Sequence, residues 1–280
     1  MVRLVGIVLK YKSKRADKSS SVLIKYLESR EIDYFTLYAK PGHIHRSISD
    51  KIPNCGLSVT FGGDGTLLFA ARLFSIYGIP IVGINLGGLG FITEFKESEV
   101  VECVDGFIRG LHSFEERMMV DVRVLRGKEV VFTSTGLNDL VVTSRDMSRL
   151  LKLEVSTEKK FIGTYRADGI IVATPTGSTA YSLSAGGPIL EPTMKAFAIS
   201  PICPHSLGAR PLVVPADEGI KIKVLSKNRN ITATVDGQVA FEVLETDEVE
   251  VLKSKTVTRL VSLGKRSFYD IVREKLAWRK

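Results

Sequence analysis

Cysteine is scarce in this 280-residue chain, which has only Cys55, Cys103 and Cys203. They are too scattered for a disulfide framework or a zinc-ligand pattern. A reducing, cytoplasmic setting fits such usage. Long apolar runs are also missing, and nothing approaches the roughly eighteen consecutive apolar residues of a membrane span. The first such run, Val2–Leu9, lacks the small-residue cleavage site of a secretory leader and reads as a buried first strand. Two well-known phosphate-binding signatures are absent. No Gly-Lys-Ser/Thr follows Gly62, and Gly83–Gly90 does not keep the G-x-G-x-x-G spacing. A P-loop NTPase and an ordinary dinucleotide dehydrogenase are therefore not indicated. The net charge of +8 includes a basic run at Lys10, Lys12, Lys14, Arg15 and Lys18, and the tail ends in Arg279-Lys280. Acidic residues are interspersed, however, and the aromatic-and-basic alternation of RNA binders is missing. A solvated face, or a field attracting a multiply anionic small molecule, fits better than nucleic acid.

What is present is globular in texture, 44% hydrophobic and 25% charged, and long enough for two domains. The first third alternates strand signals (Val2–Leu9, Asp33–Tyr38, Leu57–Phe61, Pro80–Ile84) with helix signals (Lys18–Arg30, Thr66–Tyr77, Glu97–Leu111). That alternation predicts an α/β, Rossmann-like domain over 1–111, a parallel sheet with flanking helices. Beyond residue 112 the period becomes two, as in Val120–Leu125, Ile220–Val224 and Glu248–Leu252. Ile231–Val243 reads as a hairpin turning at Asp236-Gly237. Residues 112–262 are thus expected to form a mostly β domain, a β-sandwich. A helix near Ser267–Trp278 closes the chain within 263–280 and packs back on the first domain.

Two glycine-rich stretches carry the chemistry. Leu57–Phe61 runs into Gly62-Gly63-Asp64-Gly65-Thr66 and then at once into a helical pattern. Glycines allow a sharp turn and close backbone approach, and the unpaired N–H groups of a starting helix attract phosphate. A carboxylate there repels phosphate unless it holds a metal ion or orients an attacking hydroxyl. A tight turn with Asp or Thr as helix cap is the structural alternative. The second stretch, residues 168–188, leads a buried strand into small and hydroxyl side chains around Tyr181. Small residues permit close approach, hydroxyls satisfy ribose, and a tyrosine offers a flat face for a ring. Together these describe a nucleoside pocket.

The chain resembles the ATP-dependent NAD kinases. The resemblance rests on Gly62–Thr66, Asn85–Phe91, Leu137-Asn138-Asp139, residues 168–188, Ser206–Pro211 and Asp236-Gly237-Gln238, in order. It implies phosphorylation of the adenosine 2′-hydroxyl of NAD, with ATP as donor and Mg²⁺ or a similar divalent cation. It also implies a homodimer or homotetramer in which one protomer completes its neighbour's NAD site. Asp64 is implied as the proton acceptor or hydroxyl-orienting group, with Gly65 beside it and Gly62, Gly63 and Thr66 completing the phosphate-binding turn. Asn138, Asp139, Arg166, Asp168, Thr179, Ala180, Tyr181, Ser184 and Gln238 are implied as contacts to NAD. One departure stands out. Phe69 occupies a place where some relatives use a basic residue, and Arg72 lies one helical turn further along the same face. The alternatives are a lipid or sphingoid-base kinase, which shares the glycine-aspartate turn but needs an apolar slot, and a dinucleotide-binding sensor without chemistry.

Overall fold

A computed structural model describes residues 2–40, 50–88, 90–144, 150–206, 208–226 and 230–278. Leu89, Leu207 and the tail Arg279-Lys280, which the sequence reading includes, lie outside the described residues. The chain divides into two compact units, Met1–Arg117 with Thr256–Lys280, and Met118–Lys255.

In unit 1 the strands β1 (Leu4–Lys10), β2 (Asp33–Ala39), β3 (Leu57–Gly62) and β4 (Ile81–Asn85) lie in the order β2-β1-β3-β4. All pair in parallel, and the two-residue β5 (Phe95–Lys96) is parallel to β4. The helices are α1 (Lys14–Ser29), α2 (Asp64–Phe74) and α3 (Val100–Ile108). Strand residues such as Val5, Ile7, Val59, Phe61, Val82 and Ile84 form one core with Leu23 and Leu27 of α1 and Val104 of α3. β3 and β4 are buried along their whole length, as a parallel sheet covered by helices requires.

Helix starts differ from the periodicity reading. α1 begins at Lys14, four residues early, because Ser13 caps it by accepting from Ala16 N. α2 begins at Asp64 and ends at Phe74, and a 3₁₀ turn over Ser75–Tyr77 finishes at the left-handed Gly78. The third helical pattern splits into a 3₁₀ turn at Glu97–Glu99 and α3.

Unit 2 is antiparallel. One sheet runs β13 (Leu212–Pro215), β12 (Ala196–Ile202), β11 (Gly169–Ala173), β8 (Asp139–Ser144), β15 (Ile231–Val235) and β16 (Val239–Val243). Further strands are β6 (Ser113–Arg126), β7 (Glu129–Gly136) and β17 (Asp247–Ser262), while β9 (Leu151–Thr157), β10 (Phe161–Ala167) and β14 (Ile220–Val224) lie in the order β10-β9-β14. Their alternate residues, Leu153, Val155, Ile220 and Ile222, share a core with Leu140, Val142, Ile170 and Val172 of the first sheet. The opposite faces of β8 and β11 are buried too, with Val141, Ile171 and Ala173 in a second cluster. That double burial explains the unbroken apolar run of β11. The hairpin forms as read: Asp236 and Gly237 both have positive φ, 53° and 64°, and Gln238 N donates to Val235 O.

The last helix, Phe268–Lys275, belongs to unit 1 and starts with a capping box at Ser267 and Asp270. It buries Ile271 and Val272. No described helix is long and apolar enough to cross a membrane.

Candidate functional site

In unit 1 the geometry centres on the turn after β3. A Cβ at Gly62 would lie 2.1 Å from Thr66 Oγ1, so the buried Thr66 hydroxyl fills the space a larger residue would need. Gly63, the N-cap of α2, and Gly65 behave differently. A Cβ at either would meet nothing within 4 Å, and neither has a positive φ. Neither packing nor backbone conformation demands glycine at these two positions. Their bare backbone leaves the start of α2 open to approach.

Asp64, the first residue of α2, is held by a second segment. Its Oδ1 accepts from Ile92 N (3.3 Å), Thr93 N (3.2 Å) and Thr93 Oγ1 (3.0 Å), and its Oδ2 from Phe91 N (3.0 Å). Asn85, at the end of β4, shapes that segment. Its Nδ2 donates to Gly88 O and Thr93 Oγ1, and its Oδ1 accepts from Gly87 N. A Cβ at Gly90 would fall 2.2 Å from Asp64 Oδ1, so the loop can close on the carboxylate only as glycine. The glycine stretch Asn85–Phe91 is therefore a clamp on Asp64. Thr93, which sequence reasoning missed, gives two of the four bonds; its only signal is a hydroxyl two residues past the motif. The carboxylate is fixed in direction while Oδ2, with one accepted bond, keeps a lone pair for a further donor.

Phe69 is a core residue, 4% exposed, and the guanidinium of Arg72 rests 5.8 Å from its ring centre. Behind the clamp lies a small cavity of about 20 Å³ lined by Phe91, Glu94, Glu115, Arg117, Arg266 and Ile271, among others. Burial, with Glu115 nearby, pushes the Glu94 carboxyl up to about 7, while a hydrogen bond from Ser262 and the charges of Arg117 and Arg266 oppose the rise.

In unit 2 a second aspartate organises the candidate nucleoside residues. Asp236 accepts from Leu137 N (2.9 Å), Asn138 N (2.7 Å) and Asp139 N (3.2 Å). Thr174 ties the same segment to the glycine-rich stretch: its hydroxyl donates to Leu137 O and its N–H to Asn138 O. Gly177 packs so tightly there that a Cβ would sit 2.1 Å from Asn138 O. The stretch 174–187, which offered no helical periodicity, winds into a 3₁₀ turn (Gly177–Thr179) and a short helix, Tyr181–Ser184. Its hydroxyls divide into two sets. Ser178 and Ser182 are buried and bonded to Pro175 O and Ser200 Oγ, whereas Tyr181 is 45% exposed and Ser184 is exposed. Thr179 and Ala180 are half-buried.

Two buried atoms near this turn, Asn138 Oδ1 and Thr176 Oγ1, have no hydrogen-bond partner among the described residues. Buried polar atoms are normally paired, so both are candidates to meet a ligand. Thr176 escaped the sequence reading because it looked like one hydroxyl among many. Asp139 is 4% exposed, and burial together with the charge of Asp236 raises its carboxyl to about 7. Gln238 is half-buried in the hairpin turn. Arg166 and Asp168 are placed elsewhere. Both are exposed, and they sit before the start of β11, whereas Thr174 follows its end. At about 3.3 Å per residue, Asp168 and Thr174 are roughly 20 Å apart. Along β11 these two residues are set apart from Thr174 and the turn that follows it.

The N-terminal domain model of the ATP-NAD kinases matches residues 44–112, and the C-terminal domain model matches 137–263. The chain belongs to the NAD kinase family. It is 41% identical over 276 residues to the NAD kinase of Heliobacterium modesticaldum, covering 97% of this chain and 98% of that protein. Identity is 42% over 277 residues with the NAD kinase of Moorella thermoacetica, covering 97% and 88%. The solved yeast NADH kinase complexed with NADH superposes with a TM-score of 0.87 at 25% identity, covering 100% of this chain and 88% of that one. The NAD kinase of Archaeoglobus fulgidus, solved with ATP, shares the fold, with a TM-score of 0.75 at 24% identity and coverage of 96% and 98%.

Proposed function

We propose that this member of the NAD kinase family transfers the γ-phosphoryl group of ATP to the adenosine 2′-hydroxyl of NAD. The supporting observation is the clamped carboxylate of Asp64 in a turn whose two bare glycines open onto space. An acid so placed can aim a hydroxyl. Phosphoryl transfer asks mainly for alignment and charge neutralisation, because its transition state is loose. In the step, the bond between O2′ and the γ-phosphorus forms as the bond to the β-bridging oxygen breaks. ADP leaves with that electron pair, and the hydroxyl proton passes to the Asp64 carboxylate and on to water. The products are NADP, ADP and a proton.

Asn138, Asp139, Thr179, Ala180, Tyr181, Ser184 and Gln238 are proposed as contacts to NAD, with Thr176 added because its buried hydroxyl has no partner among the described residues. Gly62, Gly63, Gly65 and Thr66 are the proposed phosphate turn. A divalent cation is proposed to arrive with ATP. No group of three or more His, Cys, Asp or Glu able to hold a metal occurs among the described residues, and Mg²⁺ commonly binds through substrate phosphates with one or two carboxylates. A homo-oligomer is proposed as well, with Arg166 and Asp168, which lie at the far end of β11 from Thr174, reaching a neighbouring copy's NAD site.

The test is NADP formation from NAD and ATP–Mg²⁺ by the full chain, with diacylglycerol as control acceptor. Steady production of NADP is expected. Tight NADP binding without NADP formation would make the protein a sensor instead.

A further inference from the structure

The donors that hold the Asp64 carboxylate all come from residues 91–93, which form neither helix nor strand. Such a segment has no ladder of its own to fix it, so its position depends on what it packs against. Asn85 grips it from the end of β4. The rest of its support comes from distant parts of unit 1. Phe91 and Ile92 line the small cavity behind the clamp together with Phe268 and Ile271 of the last helix and Arg117 of β6. The ammonium of Lys275, on the same helix, rests 4.9 Å from the centre of the Phe91 ring. Phe91 is the residue whose N–H binds Oδ2, the oxygen that keeps a lone pair for a further donor. Three side chains lining the cavity carry a buried polar atom with no hydrogen-bond partner among the described residues: Glu94 Oε1, Arg117 Nε and Arg266 Nη1. Arg117 is 6% exposed and pairs with Glu115 through its other end, while Arg266 comes only within 4.0 Å of Glu274. Incompletely paired buried charge lowers stability, and apolar side chains of similar volume commonly serve a fold as well or better. A charged cluster kept one residue beyond the last bond to Asp64 therefore has a use other than stability.

We propose that the last helix and the buried charges of Glu94, Arg117 and Arg266 form a backstop that sets where the clamp holds the Asp64 carboxylate. Arg117, Arg266 and Lys275 are then positioning residues, which act on Asp64 through Glu94 and Phe91 and not by touching substrate. The consequence for turnover rests on the kinase reading, whereas the backstop itself concerns only how residues 91–93 are held. Glu94 follows Thr93 directly, so a shift of its side chain is carried to the two bonds that Thr93 gives to Oδ1. Lys275 and Ile271 act on Phe91 and so on Oδ2. Misplacing a reacting group by about 1 Å can cost about 10²-fold in rate, while substrate affinity is spread over many contacts and changes little. Loosening the backstop therefore lowers kcat and leaves both KM values in place. The arrangement also gives the end of the chain, which returns to unit 1 after the whole of unit 2, a task at the glycine-aspartate turn.

The test uses the full chain with Arg117→Met, Lys275→Met and Lys275→Arg, and reads kinetics, urea midpoints and hydrogen exchange of the peptide spanning residues 90–95. Arg117→Met is expected to lower kcat about tenfold with both KM values within about twofold, and to speed exchange at 90–95 about tenfold. Its urea midpoint should be no lower than that of the wild type, because Glu115 is 42% exposed and can turn to water. Lys275→Met keeps the stem but removes the charge over Phe91, and should lower kcat about threefold; Lys275→Arg, which restores a cation over the ring, should recover most of that loss. Unchanged kcat or unchanged exchange at 90–95 would overturn the backstop. So would faster exchange throughout unit 1 with a lowered midpoint, or KM values that rise as far as kcat falls. Should Arg117→Met fail to fold, the exposed Lys275 pair decides by the same readouts. Should the wild type form no NADP, the kinase reading fails and the backstop is judged by exchange alone: faster at 90–95 with an unaltered midpoint upholds it, and unaltered exchange removes it.

Discussion

Asp64 in unit 1 and Asp236 in unit 2 each accept hydrogen bonds from three consecutive backbone N–H groups, Phe91–Thr93 for one and Leu137–Asp139 for the other. Each stands in a turn and pins a distant segment. Their surroundings differ. Asp236 is buried, 7% exposed, beneath the residues it organises. Asp64 is half-exposed at a helix start flanked by glycines whose missing side chains face open space. The same local device therefore serves two ends. Buried, it fixes the backbone that presents Asn138 and Asp139; at an open helix start, it fixes the direction of a carboxylate that can still accept one more donor.

Replacing each aspartate by asparagine should separate the two ends most sharply. Asp64→Asn is expected to lower turnover about 10²- to 10⁴-fold, the range for loss of a positioned acid–base group. It should also cost about 1–3 kcal/mol of stability, because the amide cannot accept all four bonds. Asp236→Asn should cost about 3 kcal/mol or more through an unsatisfied buried network, and raise KM for NAD while turnover of the folded fraction falls only a few-fold. Denaturation midpoints and steady-state kinetics on both variants check this. An Asp236→Asn enzyme that is fully stable yet as inactive as Asp64→Asn would break the distinction.

The class of both units is legible in the sequence for a physical reason: strands covered by helices read as continuous apolar runs, whereas strands such as β9 and β14 alternate because only one face is buried. The glycine turn and the 168–188 stretch stand out because glycine and clustered hydroxyls are costly to keep without a use. The partners of Asp64 were not legible. Amides of Phe91 and Ile92 carry no side-chain signal, and Thr93 looks like any strand-edge threonine. Asp236 is legible as a turn residue and as part of a family motif, but its grip on the amides of residues 137–139 is not, since an Asp-Gly hairpin tip normally points to solvent. The separation of Arg166 and Asp168 from Asn138 follows from β11 being extended, which spacing in sequence hides.

A finer test uses the glycines. Gly62→Ala must collide with Thr66, so it should destabilise unit 1 by about 1–3 kcal/mol or more. Gly65→Ala adds a methyl group to open space in the first turn of α2 and should be neutral or stabilising by up to about 1 kcal/mol. If substrate comes close to that backbone, Gly65→Ala should nonetheless lower kcat/KM about tenfold or more, since sub-ångström misplacement of reacting groups is costly. Full activity in a stable Gly65→Ala protein would show that the open space at Gly65 is not used.

The last comparison lies in pH. Asp139 in unit 2 and Glu94 in unit 1 both have carboxyls raised to about 7, each chiefly by burial, with Asp236 and Glu115 respectively adding to the rise. An acid whose pKa is higher folded than unfolded favours the folded state fully below its unfolded pKa of about 4 and progressively less as pH rises toward its folded value. Both groups should therefore weaken the fold between about pH 4 and pH 7, against the trend from carboxylates held low, such as Asp105 and Glu99. Asp139→Asn and Glu94→Gln should each remove their share, so the stability difference between variant and wild type should shift in the variant's favour from pH 5 to pH 8. Urea midpoints across that range measure it. Asp236→Asn should shrink the Asp139 share as well, because it removes the second cause, whereas the Glu94 share should not move. A pH-independent difference for Asp139→Asn would mean that its carboxyl is already ionised at pH 5, and that Asp236 pins the segment without perturbing it.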